Sequence, residues 1–218
     1  MLDLLISRTK DTCSSYYFKY IFIEHELGPN ITDIICLTES VKTLIEMHDV
    51  LQEKWILTEA KKRIERIFSD FRVEKNGYVY FKYTPNDTNK VVFNVVALVL
   101  ESFSEFIKLD NNLLHEYKDY LNDCIKALRF LLKHQRDDGA WPYAYYFKSN
   151  KYYYQLDYHQ GFIIDGLTTF SKLVDRIERR ELLRTLFKGI NFYEFRQFTD
   201  KGFSYYRYPL KYPIDIHN

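Results

Sequence analysis

The feature that most constrains the fold of this chain is an internal repeat with a period of about 62 residues. Gly77, Gly139 and Gly202 follow one another at intervals of 62 and 63 residues, and each lies close to aromatic residues. Residues 17–20 (YFKY) recur as residues 80–83, again 63 positions later. A near-constant period of this length indicates that each copy is one supersecondary unit and that successive units stack on one another.

Within each unit, hydrophobic periodicity predicts two helices of different kinds. One kind carries apolar residues at helical spacing with one charged face, at residues 54–71, 113–134 and 180–196. The other kind starts apolar on nearly every side or carries few charges, at residues 31–50, 91–107 and 159–174. Because amphipathic helices lie at a surface and helices that are apolar all round are buried, the sequence predicts outer helices alternating with inner helices.

The turns between outer and inner helices are rich in glycine and tyrosine. Gly77, Gly139 and Gly202 are expected to supply positive φ angles there, in a turn or short hairpin. We therefore predict an all-α chain that forms one partial domain over residues 1–218, an α/α toroid with short Tyr-rich hairpins at the rim of a central cavity. Three inner helices are predicted, and the chain stops where a fourth should begin. We thus expect an incomplete ring, either a fragment or a ring that a partner chain or self-association completes.

Composition argues against several classes of function. The formal net charge is +1 and basic clusters alternate with acidic residues, so neither nucleic acid nor an anionic membrane is an expected partner. Cys13, Cys36 and Cys124 are widely spaced and form no motif with histidine, so no disulfide framework and no metal site are predicted. The absence of a long apolar run, of a signal peptide and of nucleotide-binding motifs predicts a cytoplasmic protein without a membrane span or cofactor.

Polar residues at the starts of the inner helices are the first candidates for chemistry. The N-terminal ends of inner helices should converge on one rim of the cavity, where they favour anions. Asp-x-His occurs twice at equivalent positions of the repeat, as Asp157/His159 and Asp215/His217. Either each Asp is a helix N-cap and each His a core residue, or the two pairs line one cavity and supply carboxylates and acid/base imidazoles.

A second group of candidates surrounds the turn after residue 134. Gln135, Gly139 and Trp141 lie in a pattern, F-L-x3-Q-x3-G-x-W, that resembles the repeat motif of triterpene cyclases. The resemblance implies a structural role in which Gln binds the next helix end and Trp stacks on it; the DDxxD and DxDD motifs of those cyclases are absent. The tyrosines that follow either pack as a hairpin over the rim or form a stacking surface for sugar rings. In the second case the expected ligand contacts are Asp138, Trp141, Tyr143, Tyr145 and Tyr154.

The ordered set of motifs resembles the α/α-toroid proteins found among bacterial genes for extracellular and capsular polysaccharide biosynthesis. The matching segments are residues 29–32, Asn94 within KVVFNVVAL, and residues 135–141, 157–162 and 212–217. Related toroids include glycoside hydrolases, polysaccharide lyases, sugar 2-epimerases and glucuronyl C5-epimerases. The resemblance therefore implies a carbohydrate ligand.

We accordingly expect a carbohydrate-active or carbohydrate-binding toroid that acts in the synthesis or modification of surface polysaccharides, with glycans that contain uronic acids as fitting substrates. His159 and His217 are the expected acid/base groups; the carboxylates and hydroxyl-binding amides around them are expected to be Asp157, Asp215, Asn30 and Asn94. The alternative is a non-catalytic helical-repeat scaffold that docks a partner chain. A terpenoid or prenyl enzyme is less favoured, because the acidic motifs are missing.

Overall fold

The computed structural model describes residues 33–154 and 159–210. In this part of the chain the helices are α1 (Ile34–Leu51), α2 (Lys54–Arg66), α3 (Phe93–Lys108), α4 (Asn111–Glu116), α5 (Lys118–Lys133), α6 (His159–Phe170) and α7 (Arg176–Arg196). A π-helical turn, Ile67–Phe71, continues α2. The strands are β1 (Arg72–Lys75), β2 (Tyr78–Phe81), β3 (Lys90–Val92), β4 (Ala144–Tyr146) and β5 (Lys151–Tyr153).

The alternation of inner and outer helices is confirmed. Helix α3 packs between α1 and α6, and these three form the inner layer. The outer helices α2, α5 and α7 pack on α1, α3 and α6 respectively. Every residue of α3 from 93 to 100 is buried, as expected for a helix that starts apolar all round. The fold is an arc of an α/α toroid.

Several element boundaries differ from the predicted ones, and α6 ends at Phe170, four residues before its predicted end. Val91 and Val92 form strand β3 instead of the first turn of an inner helix, because they pair with Tyr145 and Ala144 of β4. The predicted helix over 113–134 is divided into α4 and α5 at Tyr117. Helix α7 starts at Arg176, four residues before its predicted start, because the Asp175 carboxylate caps it by accepting hydrogen bonds from two backbone N–H groups.

The three inner helices run parallel. Gly166 of α6 faces Ala97 of α3 so closely that a Cβ on the glycine would lie 2.4 Å from the Ala97 carbonyl oxygen. The Lys42 ammonium of α1 lies 3.4 Å from the Glu101 carboxylate of α3.

Asn94 and His159, near the starts of α3 and α6, line one cavity. The Ile34 N–H at the start of α1 donates to the carbonyl of Tyr83, whose ring centroid lies 5.7 Å from the Lys90 ammonium just before α3. All three N-termini therefore lie at one end of the arc.

Short antiparallel hairpins join outer helices to inner helices, as predicted. Strands β1 and β2 pair with Lys75 opposite Tyr78, and β4 and β5 pair with Tyr145 opposite Tyr152. Strand β3 adds to β4, so the second unit is hydrogen-bonded to the third. The positive φ angles predicted for the three repeat glycines are also confirmed, at +77°, +95° and +79° for Gly77, Gly139 and Gly202.

Trp141 and Gln135 tie the third turn to the helices around it. The Gln135 side-chain amide donates hydrogen bonds to the carbonyls of Gly139 (2.9 Å) and Thr185 (2.8 Å). The Trp141 indole N–H donates to the Leu131 carbonyl at 2.9 Å, and its ring packs directly on Gly189 of α7. These contacts give the motif a structural role. Trp141 is only 1% exposed, so its ring packs in the core.

None of the helices within residues 33–154 and 159–210 is both long enough and apolar enough to cross a lipid bilayer.

Candidate functional site

Asn94, Tyr143 and His159 meet at the N-terminal end of the inner helices. They surround a cavity of about 10 Å³, enough for about one water molecule, whose other walls come from Trp141, Pro142, Gln160 and Ile163. The Tyr143 and His159 rings meet edge to face with centroids 5.0 Å apart. The Phe93 amide donates to the Tyr143 carbonyl at 2.9 Å, which holds the start of α3 against the turn before β4. The structure thus brings together four of the predicted site residues, Asn94, Trp141, Tyr143 and His159.

Gln160 fixes the start of α6 at this cavity. Its side chain is buried; Oε1 accepts from the Trp141 backbone N–H at 3.0 Å, and Nε2 donates to the Gly139 carbonyl at 3.2 Å. His159 is the preceding residue, so its imidazole is carried by a helix end that two hydrogen bonds lock to the turn. Sequence analysis missed this positioning residue, although a glutamine directly after Asp-x-His on an apolar helix is the signal that could have found it.

Asn94 places a polar side chain at this cavity, within the inner layer. It is buried, and its Oδ1 has no hydrogen-bond partner within residues 33–154 and 159–210. Leaving such an atom unpaired in the interior costs about 1–3 kcal/mol, and unpaired buried polar atoms in folded proteins are rare. The arrangement suits an atom that accepts a hydrogen bond from a ligand.

The side of α3 that carries Asn94 faces away from the outer layer. Phe93, Phe103 and Phe106 contact outer-layer aromatic rings, with centroid distances of 5.4 Å to Phe130, 5.8 Å to Phe68 and 5.3 Å to Tyr117. At 3.6 residues per turn, the opposite side of the helix carries Asn94, Leu98, Glu101 and Glu105. This stripe faces the inside of the ring.

Deeper along the stripe, Lys42 and Glu101 form an ion pair that sequence analysis did not predict. The Lys42 ammonium also lies 2.8 Å from the Glu39 carboxylate. Burial raises the pKa of Glu101, and Lys42 offsets this only in part. Burial alone would lower the pKa of Lys42, but the carboxylates of Glu39 and Glu101 raise it. Lys42 and Glu101 each lie eight residues after the start of their helices, so they can meet because α1 and α3 are parallel. The sequence alone does not show this parallel arrangement.

Several predicted site residues lie elsewhere. Asp138 belongs to the turn after α5, where it accepts from the Ala140 N–H at 3.2 Å and pairs with Arg136 at 2.7 Å. The Tyr145 hydroxyl bonds to the Asn150 side chain within the β4–β5 hairpin, and Tyr154 follows β5 as an exposed residue. Asp138, Tyr145 and Tyr154 therefore do not line the cavity at Asn94. The remaining predicted residues lie outside the described part of the chain: Asn30, Asp157, Asp215 and His217.

In the described residues, no three side chains of His, Cys, Asp or Glu are grouped so that they could hold a metal ion.

No protein-family model and no curated protein matches this sequence. Among solved structures, the chain is similar to a glycoside hydrolase of family 105 from C. acetobutylicum, with 13% identity and a TM-score of 0.66 over 83% of this chain and 51% of that one. It is also similar to cellobiose 2-epimerase from Bacillus thermoamylovorans, with 9% identity and a TM-score of 0.68 over 85% of this chain and 47% of that one. A third similar structure is an α-1,6-mannanase of Salegentibacter sp., with 13% identity and a TM-score of 0.62 over 96% of this chain and 61% of that one.

These similarities show the class of fold, which is the α/α toroid. The chain spans about half the length of the first two structures.

Proposed function

We propose that this chain is a carbohydrate-active or carbohydrate-binding toroid whose ligand site is the cavity end around Asn94, Tyr143 and His159. The observation that carries the proposal is the unpaired, buried Oδ1 of Asn94 beside the His159 imidazole. A sugar hydroxyl is a suitable donor to that oxygen, and a tyrosine ring next to it suits the apolar face of a sugar. Three structurally similar proteins, a glycoside hydrolase, an epimerase of cellobiose and a mannanase, support a carbohydrate as the ligand class.

The expected chemistry is proton transfer at a sugar carbon or at a glycosidic oxygen. His159 would accept or donate the proton, because an imidazole nitrogen can act as a base and, once protonated, as an acid. Asp157, Asp215 and His217 are proposed to complete the site, since they occupy equivalent positions of the repeat. We further propose glycans with uronic acids, in bacterial surface polysaccharide, as substrates; the three inner-helix N-termini at this end favour a carboxylate.

Titration calorimetry with a uronic-acid tetrasaccharide and a neutral tetrasaccharide tests this proposal. Asn94→Leu should abolish saturable binding while leaving the unfolding free energy unchanged or about 1 kcal/mol higher, because the leucine removes an unpaired buried polar atom. His159→Ala should abolish turnover of any substrate found. Ligand binding that is equal in wild type and Asn94→Leu would overturn the assignment of the site.

The exposed face of α7 favours a second candidate function, a scaffold that docks a partner. Leu183, Phe187 and Ile190 lie on this face with 49%, 66% and 39% of their surface exposed. Arg180 and Arg184 line the same surface groove as Leu183 and Phe187. We propose that the partner that binds in this groove is a further helical hairpin that carries carboxylates on its outer helix.

The contacts between successive outer helices support this choice of occupant. Lys61 of α2 pairs with Glu116 of α4 at 2.9 Å, and Arg129 of α5 pairs with Glu178 of α7. In both cases the cation belongs to the earlier unit and the carboxylate to the later one. A hairpin that continued the arc beyond α7 would place its carboxylates against Arg180 and Arg184 of α7.

A further inference from the structure

A large open cleft lies outside the cavity described above, between the end of α5 and the β4–β5 hairpin. We call it the hairpin cleft; its volume is about 750 Å³, and its walls include Lys133, His134, Arg136, Lys151, Tyr152 and Tyr154. Sites for small molecules in proteins have volumes of about 300–1,000 Å³. The hairpin cleft therefore has room for a sugar residue or two, whereas the cavity at Asn94 has room for a single polar group, such as one hydroxyl of a sugar.

The charge of the hairpin cleft is positive. Lys133, Arg136 and Lys151 line it, and no Asp or Glu is among its lining residues in the described part of the chain. The Arg136 guanidinium shares one ion pair, with Asp138 at 2.7 Å, and the Lys133 ammonium lies 4.8 Å from the centroid of the Tyr78 ring. Both cations keep donors for a ligand, because each contact uses only part of the group's hydrogen-bonding capacity.

Tyrosines form the other wall of the hairpin cleft. Tyr152 and Tyr154 are 51% and 62% exposed. The Arg207 guanidinium stacks over the neighbouring Tyr153 at 4.6 Å, which helps to hold this segment in place. Flat, exposed tyrosine faces with polar tips suit the ring of a sugar.

His134 adds a hydrogen-bond acceptor. Its Nδ1 lies 2.7 Å from the Phe130 carbonyl oxygen, and a carbonyl only accepts, so Nδ1 carries the proton. In the neutral ring Nε2 is then an acceptor, and burial lowers the pKa of His134, which favours the neutral form. The imidazole can thus accept from a sugar hydroxyl.

We propose that the hairpin cleft is a second binding site, for an acidic sugar residue whose carboxylate or sulfate group contacts Lys133, Arg136 and Lys151 and whose ring lies on the exposed tyrosines. The carbohydrate class of the ligand rests on the proposed function. The site itself is separate from Asn94 and His159 and would hold another part of the same glycan chain.

The test is titration calorimetry of the full chain with three tetrasaccharides: a polygalacturonate fragment, a chondroitin sulfate fragment and cellotetraose. The triple variant Lys133→Gln/Arg136→Gln/Lys151→Gln should bind the acidic probes at least tenfold more weakly than wild type. The matched control Lys118→Gln/Lys172→Gln/Lys201→Gln removes the same charge from exposed positions elsewhere and should bind like wild type. Binding of the uronate but not the sulfate, or the reverse, identifies the anionic group.

The outcomes separate this proposal from the proposed function. If the triple variant binds the acidic probes like wild type, or if the control loses as much affinity, the cleft proposal is overturned. If the triple variant loses affinity while Asn94→Leu does not, the cleft stands and the cavity at Asn94 is not the principal ligand site. Tyr154→Ala gives an independent check: a loss of affinity supports the tyrosine wall, and no loss contradicts it.

Discussion

At the scale of single residues, Gly139 and Gly77 show how two similar turns impose different demands. Both have positive φ angles, +95° and +77°. A Cβ on Gly139 would lie 2.2 Å from the Lys188 carbonyl oxygen, whereas within residues 33–154 and 159–210, chain neighbours aside, no atom lies within 4 Å of the corresponding position at Gly77. The first glycine is required by both conformation and space, and the second by conformation alone.

We expect Gly139→Ala to lower the free energy of unfolding by about 3 kcal/mol or more, the sum of backbone strain and a clash with helix α7. Gly77→Ala should cost only about 1 kcal/mol, because strain alone applies. Urea denaturation followed by circular dichroism measures both values. Equal losses in the two variants would contradict the close contact between Gly139 and α7.

His134 links protonation to stability. Its ring packs between Phe130, Phe93 and Tyr152, and burial together with the nearby Lys133 charge lowers its pKa below the ordinary value of about 6.5. Below pH 6.5 the unfolded chain binds a proton more readily than the folded one. The contribution of His134 to stability is therefore complete above its ordinary pKa and is lost as the pH falls below it.

The free energy of unfolding should decrease between pH 7.5 and pH 5, and His134→Phe should weaken this decrease. His115→Gln, at an exposed histidine of α4, is the matched control and should keep the wild-type pH profile. Urea titrations at four pH values measure the difference. If the free energy of unfolding of His134→Phe depends on pH as that of the wild type does, burial does not disfavour protonation of His134.

At the scale of elements, glutamine side chains fasten the turn after α5 to the helices around it. Gln135 reaches the Thr185 carbonyl of α7, and Gln160 of α6 holds the backbone of Trp141 and Gly139. Because these bonds join three helices at one point, the position of His159 depends on them.

Gln135→Ala should lower the free energy of unfolding by about 1–3 kcal/mol, since it removes two hydrogen bonds to carbonyl groups. Arg136→Ala, one residue later and exposed, should change it by less than about 0.5 kcal/mol, as is usual at a surface ion pair. Chemical denaturation of the two variants beside wild type gives both values. Similar losses at the two positions would show that Gln135 is not a tie between elements.

The helices and turns were predictable from sequence because their signals are local. Helical periodicity and charge separate α2 from α3, and a glycine one to four residues before a tyrosine marks the turn of each unit. The pairing of β3 with β4 was missed because Val91 and Val92 continue the apolar run of α3. Only a strand more than fifty residues away, at Ala144 and Tyr145, makes them a strand.

At the scale of the whole molecule, α7 leaves an apolar face uncovered. Leu183 and Phe187 lie on it beside Arg180 and Arg184. On the α/α-toroid architecture, the flank of an outer helix is the place where the next hairpin packs. Burial of this face would stabilise an association by about 25 cal/mol for each Å² of apolar surface removed from water.

We expect Leu183→Glu/Phe187→Glu to abolish any self-association or partner binding of the chain without loss of helical content, because both side chains are already exposed. Sedimentation velocity of the wild type and the variant, alone and with a synthetic helical hairpin rich in glutamate, measures the effect. Leu114→Glu, at an exposed position on α4, serves as a control for added charge. A wild type that stays monomeric in both arms would contradict the docking role.

The sequence by itself determined the period of the repeat, the inner and outer character of each helix and the positive φ angles at the glycines. These properties follow from periodicity and local sterics, which act over a few residues. Only the tertiary structure decided that Asn94 and His159 share a cavity, that Lys42 meets Glu101, and that Trp141 belongs to the core. Such contacts join residues far apart in the chain, and they depend on the parallel packing of inner helices and on which side of each helix the neighbouring layer covers.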